Sequence, residues 1–225
     1  MKNHLVVFLI AFVISSGTTF AQIVTAEKYL EQVSNKYAGF NDYEAKIGIK
    51  SGGNDMFGTI SHRSPSFLKI EFTTPAEQVI VFNGEMLTVY LPEYRAILNQ
   101  SVQSSGTRGA GLAASGGLTI MRRSFAAAYI TGPDPVSLDD GSPEKVVKLR
   151  LSPRSGGAGF REIILSIDPS TLLIRRIAAT TLGGALLRFD FSNIKTNIGI
   201  PETRFIYDSP ASANVYNNFL FRDTE

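Results

Sequence analysis

The chain has 225 residues, 22 Lys and Arg against 20 Asp and Glu, a formal net charge of +2, and neither cysteine nor tryptophan. So even a charge balance argues against a nucleic-acid binder, which needs a basic excess on one face. The absence of cysteine excludes disulfides, thiolate metal sites, cysteine nucleophiles and acylation of the chain itself on a cysteine.

Lys2 precedes an apolar run from Leu5 to Ser15, and Thr19-Phe20-Ala21-Gln22 presents small or hydroxyl side chains where a signal peptidase cuts. That order is an export signal, and the run is short for a bilayer span. Residues 1–21 are therefore expected to be removed, leaving residues 22–225 as one domain of ordinary size, expected to be soluble after cleavage. Thr25 can cap a helix whose apolar stripe is Ala26, Tyr29, Leu30, Val33 and Tyr37, ending near Lys36 with Gly39 as the stop. Tyr43, Ala45, Ile47 and Ile49 then alternate with Glu44, Lys46 and Lys50, a strand with one wet face that stops at the turn 51–55.

Residues 58–92 read as four short strands. Leu68, Ile70 and Phe72 fall on one face and Lys69 and Glu71 on the other, and Asn83-Gly84 predicts a type I′ hairpin pairing 78–82 with 85–90. A further strand is expected over 94–99. Residues 100–117 are rich in Gly, Ser and Ala and read as a flexible connection. Leu118, Met121 and Phe125 then recur at helical spacing, predicting a helix over about 118–128 with Arg122 and Arg123 on its other side. Such a helix on a tether is either a movable lid or an element docked permanently on the core. Pro133, Pro135 and Gly141 break the chain, and Asp134, Asp139, Asp140 and Glu144 lack EF-hand spacing and read as solvated turns. Runs 146–151, 160–167, 172–178 and 186–191, joined by tight links, predict an antiparallel meander. The fold class is mainly β, of the α+β kind.

Catalytic chemistry is poorly supplied. Of two histidines, His62 alone lies beyond the export signal, so a two-histidine zinc site within one molecule is excluded. Beside Arg63 at a strand end, it is expected to be an exposed surface residue. No nucleophile elbow, P-loop or strand-linked GxGxxG occurs. Carboxylates such as Glu71, Glu77 and Asp190 are expected to face water. The expectation is a non-enzyme with no catalytic residue, no cofactor and no metal.

Gly58, Pro65, Leu68, Ile70, Pro75, Asn83, Gly84, Tyr90 and Pro92 stand in ungapped register. Their pattern resembles the periplasmic outer-membrane lipoprotein carrier family, the LolA family. Phe205, Tyr207 and Pro210 resemble its closing segment. The sequence departs from the family at Ser64, where many members carry an arginine that holds a lid shut, with Arg63 one place earlier, and at Thr88 and Ser212. The resemblance implies an incomplete, strongly curved antiparallel β-barrel with an N-terminal helix and a helical lid over an apolar cavity. It favours the lid for residues 118–128, with Arg63, Ser64, Leu118, Met121 and Phe125 as lid or gating residues. It also implies a periplasmic chaperone that binds the acyl chains of lipoproteins and shuttles them from inner to outer membrane. The expected partners are acylated lipoproteins and an inner-membrane ABC lipoprotein-releasing complex, with an outer-membrane receptor as a further candidate and no nucleic acid; a monomer is expected. Alternatives are transport or sensing of free lipid or glycolipid in the same cavity and, less well supported, a secreted lipid hydrolase.

About 15 methylenes at roughly 0.8 kcal/mol each put some 12 kcal/mol behind hiding one acyl chain from water. A soluble carrier must therefore supply an apolar lining. The candidates are Ile47, Ile49, Leu68, Ile70, Phe72, Val79, Val81, Leu87, Val89, Leu187 and Phe189, with Met121 and Phe125 filling the empty cavity.

Overall fold

The computed structural model describes residues 24–101, 117–154 and 159–219; the expected export signal and residues 102–116 of the expected connection lie outside them. In chain order the elements are α1 (Ala26–Ala38), β1 (Asp42–Ser51), β2 (Asn54–Arg63), β3 (Phe67–Thr74), β4 (Val79–Phe82), β5 (Met86–Leu91) and β6 (Ala96–Ser101). Then come α2 (Gly117–Ser124), β7 (Phe125–Tyr129), β8 (Val136–Ser137), β9 (Lys145–Pro153), β10 (Phe160–Ile167), β11 (Ile174–Thr181), β12 (Leu186–Thr196) and β13 (Asn214–Asn217).

The strands lie in the order β13-β6-β5-β4-β3-β2-β1-β12-β11-β10-β9-β7, with β8 beside β9. This corrects the expected barrel. The sheet is open and not strongly curled, its edges β13 and β7 stand at opposite ends of the order, and the fold is mixed α/β with a dominant sheet. Nor is it wholly antiparallel, since β13 joins β6 in parallel. Closure would require β7 to offer its free edge, and α1 occupies that edge: the Ala127 N–H donates to Glu27 Oε1 at 3.0 Å and the Tyr129 hydroxyl to the Val24 carbonyl at 2.8 Å. The meander is present as β9 to β12, each strand antiparallel to the next.

The helix forms where its capping residue permits. The Lys28 N–H donates to Thr25 Oγ1 at 3.3 Å, and the stripe puts Leu30 and Val33 at 0% exposure. Gly39 closes it at φ −82°, so no left-handed residue is needed there. The second helix is shorter than expected. It ends at Ser124, and Phe125–Tyr129 is an edge strand in register with β9 rather than the rest of a 118–128 helix. Three consecutive alanines, 126 to 128, bury too little to hold a helical face, whereas the β9 ladder satisfies their backbone.

Because side chains alternate along each strand, the registers sort the sheet into two faces. On the inner face, one core cluster lies under the helices: Leu30 and Val33 of α1 and Met121 of α2 meet Phe125, Leu149, Leu151, Leu165 and Ile167. Full burial of each of these side chains is worth about 1.5–3 kcal/mol. A second cluster on the same face is described below. On the outer face, Val81, Ile200 and Phe205 form a third, with Phe67, Val79 and Tyr207 against it.

Candidate functional site

The second inner-face cluster comprises Ala45, Ile47 and Ile49 of β1, Ile60 of β2, Leu68, Ile70 and Phe72 of β3, and Phe82 of β4. Met56, Ile80, Leu87, Phe189, Phe191 and Ile194 pack against it. Every one of these is a strand residue, whereas the cluster beside it on the same face is roofed by α1 and α2. The strand-only half of the inner face is therefore an apolar surface with no described helical layer of its own, although its eight core residues are at most 9% exposed.

Cross-strand register shows how the sequence builds it. Ile47 pairs with Phe191 and Ile49 with Phe189 on one side, and with Gly58 and Met56 on the other. Ile60 stands opposite Ile70, Gly58 opposite Phe72, and Leu68 opposite Phe82. Phe82 and Ile80 continue to Leu87 and Val89, and Leu187 lies one pair along from Phe189 on β12. Of the sequence candidates, Ile47, Ile49, Leu68, Ile70, Phe72, Leu87, Val89, Leu187 and Phe189 thus share one face.

Four candidates do not join them there. Val79 and Val81 pair with Glu71 and Lys69, so both lie on the outer face, where Val81 packs with Ile200 and Phe205. Met121 and Phe125 share the inner face but belong to the helix-roofed cluster, with Leu118 packed against it, as is Leu187 from β12. Seven strand steps separate β7 from β3, roughly 34 Å along the sheet at about 4.8 Å per step. The cluster residues that the sequence reading missed are Ala45, Met56, Ile60, Ile80, Phe82, Phe191 and Ile194. The β3–β4 register finds Ile80 and Phe82, alternation back from His62 along β2 finds Ile60, and pairing of β12 with Ile47 finds Phe191.

Arg63 and Ser64, the lid candidates, hold a different segment. Arg63 Nη1 donates to the Ile200 carbonyl at 2.5 Å and Nη2 to Glu202 Oε1 at 3.4 Å; the Ser64 N–H donates to the Asn41 carbonyl at 2.8 Å. The Asp42 carboxylate, 4% exposed, accepts the N–H groups of Ile198, Gly199 and Ile200 at 2.7, 3.0 and 3.3 Å. These bonds lay residues 198–207 on the outer face, with Phe205 against Phe67 at 5.4 Å between ring centroids and Tyr207 against Tyr90 at 6.0 Å.

His62 is not at the surface as expected. It is 2% exposed, because its position in β2 is in phase with Ile60 and the Tyr43 ring stacks over it at 4.9 Å and 17°. Burial pushes its pKa down to about 4, with Asp42 opposing, so the ring is neutral near pH 7. Burial also pushes Tyr43 up beyond its ordinary range, and Tyr37 to about 12.

Charged groups elsewhere pair off. Arg176 bridges Asp139, at 2.7 Å, and Asp190, at 2.5 Å, and holds the Asp139 carboxyl below its usual range. Glu144 pairs with Arg175, Lys69 with Glu71, and Arg122 with Glu31. A cleft of about 510 Å³ between α1 and α2 is lined by Glu27, Lys28, Glu31, Arg122 and Arg123 among others. Its charged walls make it a poor host for an acyl chain, so the strand-only face remains the candidate site.

No family model matches the chain. An outer-membrane lipoprotein carrier protein of Dechloromonas aromatica is 25% identical over 159 residues, 70% of each chain. Another, of Pseudomonas paraeruginosa, is 22% identical over 214 residues, 92% of this chain and 95% of its own. The chain is thus similar, along most of its length, to outer-membrane lipoprotein carrier proteins. The fold is also that of an uncharacterized conserved protein from Thermus thermophilus, with a TM-score of 0.55 at 14% identity over 85% of this chain and 98% of that one.

Within this chain the motif that resembles these proteins does backbone work. At Gly58 a Cβ would collide with the Glu71 carbonyl oxygen and stand 3.0 Å from Phe72 Cα, so β3 approaches β2 as closely as it does only over glycine. Pro65 and Pro75 follow cis peptide bonds at the two ends of β3. Asn83 does not take the positive φ of a type I′ turn. Its Oδ1 instead accepts the N–H groups of Glu85 and Met86 at 3.1 and 2.8 Å, and Gly84 alone turns left-handed, at φ +96°.

Proposed function

We propose that this chain is a periplasmic carrier that takes acyl chains of lipid-modified proteins onto the strand-only half of its inner face. In this reading it receives them from an inner-membrane ABC release complex and delivers them towards the outer membrane, after an export signal spanning residues 1–21 has been removed. The observation that carries the reading is the cluster centred on Ile47, Ile49, Leu68, Ile70, Phe72 and Phe82, an apolar surface with no helical member beside a half of the same face that α1 and α2 roof. A chain of some 15 methylenes contributes about 12 kcal/mol of transfer free energy if fully covered. Binding and transport of this kind require no catalytic group.

The sharp comparison is between two buried leucines, Leu68 at 7% and Leu149 at 0% exposure. Leu149→Asp places a charge under the helices and is expected to abolish folding, because an unpaired buried carboxylate cannot be accommodated. Leu68→Asp is expected to leave the circular dichroism spectrum and a cooperative unfolding transition intact while abolishing uptake of a fluorescent acyl probe. If Leu68→Asp unfolds as Leu149→Asp does, the face is a filled core and the carrier reading fails. Native mass spectrometry of protein taken from its own periplasm identifies the cargo: a bound lipoprotein supports the reading, whereas free lipid alone redirects it to lipid transport.

A further inference from the structure

One polar side chain on the inner face has no role in a purely apolar site. His62 lies between Tyr43 on β1 and Leu68 on β3, in phase with Ile60 and Ile70. Both of its ring nitrogens are buried, and neither has a hydrogen-bond partner. Asp42, the carboxylate whose charge acts on His62, is committed to the backbone N–H groups of residues 198–200. Tyr43 offers its ring face. Buried polar groups without partners are rare in native proteins, and each costs free energy that an apolar side chain would not.

The position adds to the chemistry. Tyr43 meets Tyr37 of α1 edge-on at 6.2 Å, and Tyr37 packs against the helix-roofed cluster. Leu68, on the other side of His62, belongs to the strand-only cluster. His62 therefore stands at the border between the roofed and the strand-only halves of the face, where the end of a chain lying on the latter would come to rest. A neutral imidazole carries one N–H donor and one acceptor nitrogen. In an apolar setting a donor of this kind suits an uncharged acceptor such as a carbonyl, whereas a phosphate or carboxylate would bring its own desolvation cost.

Resting on the acyl-carrier reading, we propose that His62 is the polar anchor of the site, its ring N–H donating a hydrogen bond to the ester or amide carbonyl at the head of a bound acyl chain. The chain then runs from His62 over Leu68, Ile70 and Phe82. The anchor fixes which end of the ligand faces the helices, and it distinguishes acyl from alkyl chains of equal length.

The test uses the exported full-length domain and two probes matched in length, dioctanoylglycerol with ester carbonyls and its dioctyl ether, which has none. Wild type is expected to bind the ester roughly three- to tenfold tighter than the ether, the worth of one neutral hydrogen bond. His62→Phe, which keeps an aromatic ring against Tyr43, is expected to bind both probes with the wild-type affinity for the ether. In wild type, the imidazole ¹⁵N resonances of His62 are expected to move on adding the ester and not the ether, an observation that requires no variant. Equal binding of the two probes by wild type, an ester preference that survives in His62→Phe, or ring resonances indifferent to the ester each overturns the anchor and leaves the carrier reading standing. Binding of neither probe overturns both.

Discussion

Acidification provides a direct measure of the environment of His62. In the folded chain the imidazole is held down to about 4 from an ordinary 6.5, with burial as the main cause and Asp42 the opposing charge. In the unfolded chain it takes a proton near pH 6.5, so the unfolded state binds more protons between the two values. Stability from this group is complete above about pH 6.5, falls as the pH drops towards 4, and is flat below. A difference of about 2.5 units at 1.36 kcal/mol each amounts to on the order of 3 kcal/mol, of which about 2 kcal/mol is gone by pH 5. The perturbation is His62→Phe, which keeps the stack on Tyr43 and removes the titrating group. Carboxylates such as Asp139 and Asp168, whose pKa values are lowered, also lose stability in acid, at lower pH and equally in both proteins. The assay is urea unfolding followed by far-ultraviolet circular dichroism at pH 7.5, 6, 5 and 4, since the chain has no tryptophan to report by fluorescence. Wild type is expected to lose about 3 kcal/mol more than His62→Phe across that range, and the variant to equal or exceed wild type at pH 7.5. Parallel curves for the two proteins would refute the buried, neutral imidazole and with it the anchor.

Two further substitutions test the scaffold. Gly58→Ala forces a Cβ against the Glu71 carbonyl and is expected to cost about 1–3 kcal/mol, read as a lower urea midpoint, because backbone rather than a flexible side chain must move. Asp42→Ala removes the acceptor of three backbone N–H groups and is expected to cost about 2–4 kcal/mol, with hydrogen exchange accelerating at residues 198–205 before the inner-face strands. Exchange that stays slow there would mean that Phe205 and Ile200, rather than the carboxylate, hold the segment.

What the sequence made legible follows from how local each signal is. The N-terminal helix could be read from Thr25 and its stripe, whereas Gly58 answers a cross-strand demand from Glu71 and Phe72 and was legible only through the resemblance. The face of Val79 and Val81 was misread because parity does not carry across a connection. Glu77 at φ 62° and the bond from the Phe72 N–H to the Gln78 carbonyl set the register, and β4 turns its even-numbered residues inward. His62 was misread for a related reason: proximity to Arg63 suggested a wet strand end, whereas its alternation with Ile60 already placed it inside. The helix expected over 118–128 failed at Phe125, where a non-local partner, β9, decided the outcome over local spacing. Whether the sheet closed was not written in any single strand, since it depends on what α1 does at the β7 edge.

These placements also decide which half of the inner face can admit a ligand at least cost. To use Met121 and Phe125 as a displaceable filling, the molecule would have to lift α2 and break into the β7 ladder, in which Phe125 through Tyr129 pair with β9 residue by residue. It would also have to break the Arg122 to Glu31 ion pair and uncover side chains at 0% exposure such as Leu30 and Leu149. Exposing even two such leucines costs about 3–6 kcal/mol, a large share of the marginal stability of a domain of this size. The strand-only half has no described helix to lift and no ladder to open. An acyl chain arriving there must displace whatever keeps Ile47, Leu68 and Phe72 below 9% exposure, but among the described residues it need not lift a helix or open the β7 ladder. In the proposed carrier reading the helix-roofed cluster would be the rigid back, and the face from Ile47 to Phe82 the half that takes up cargo.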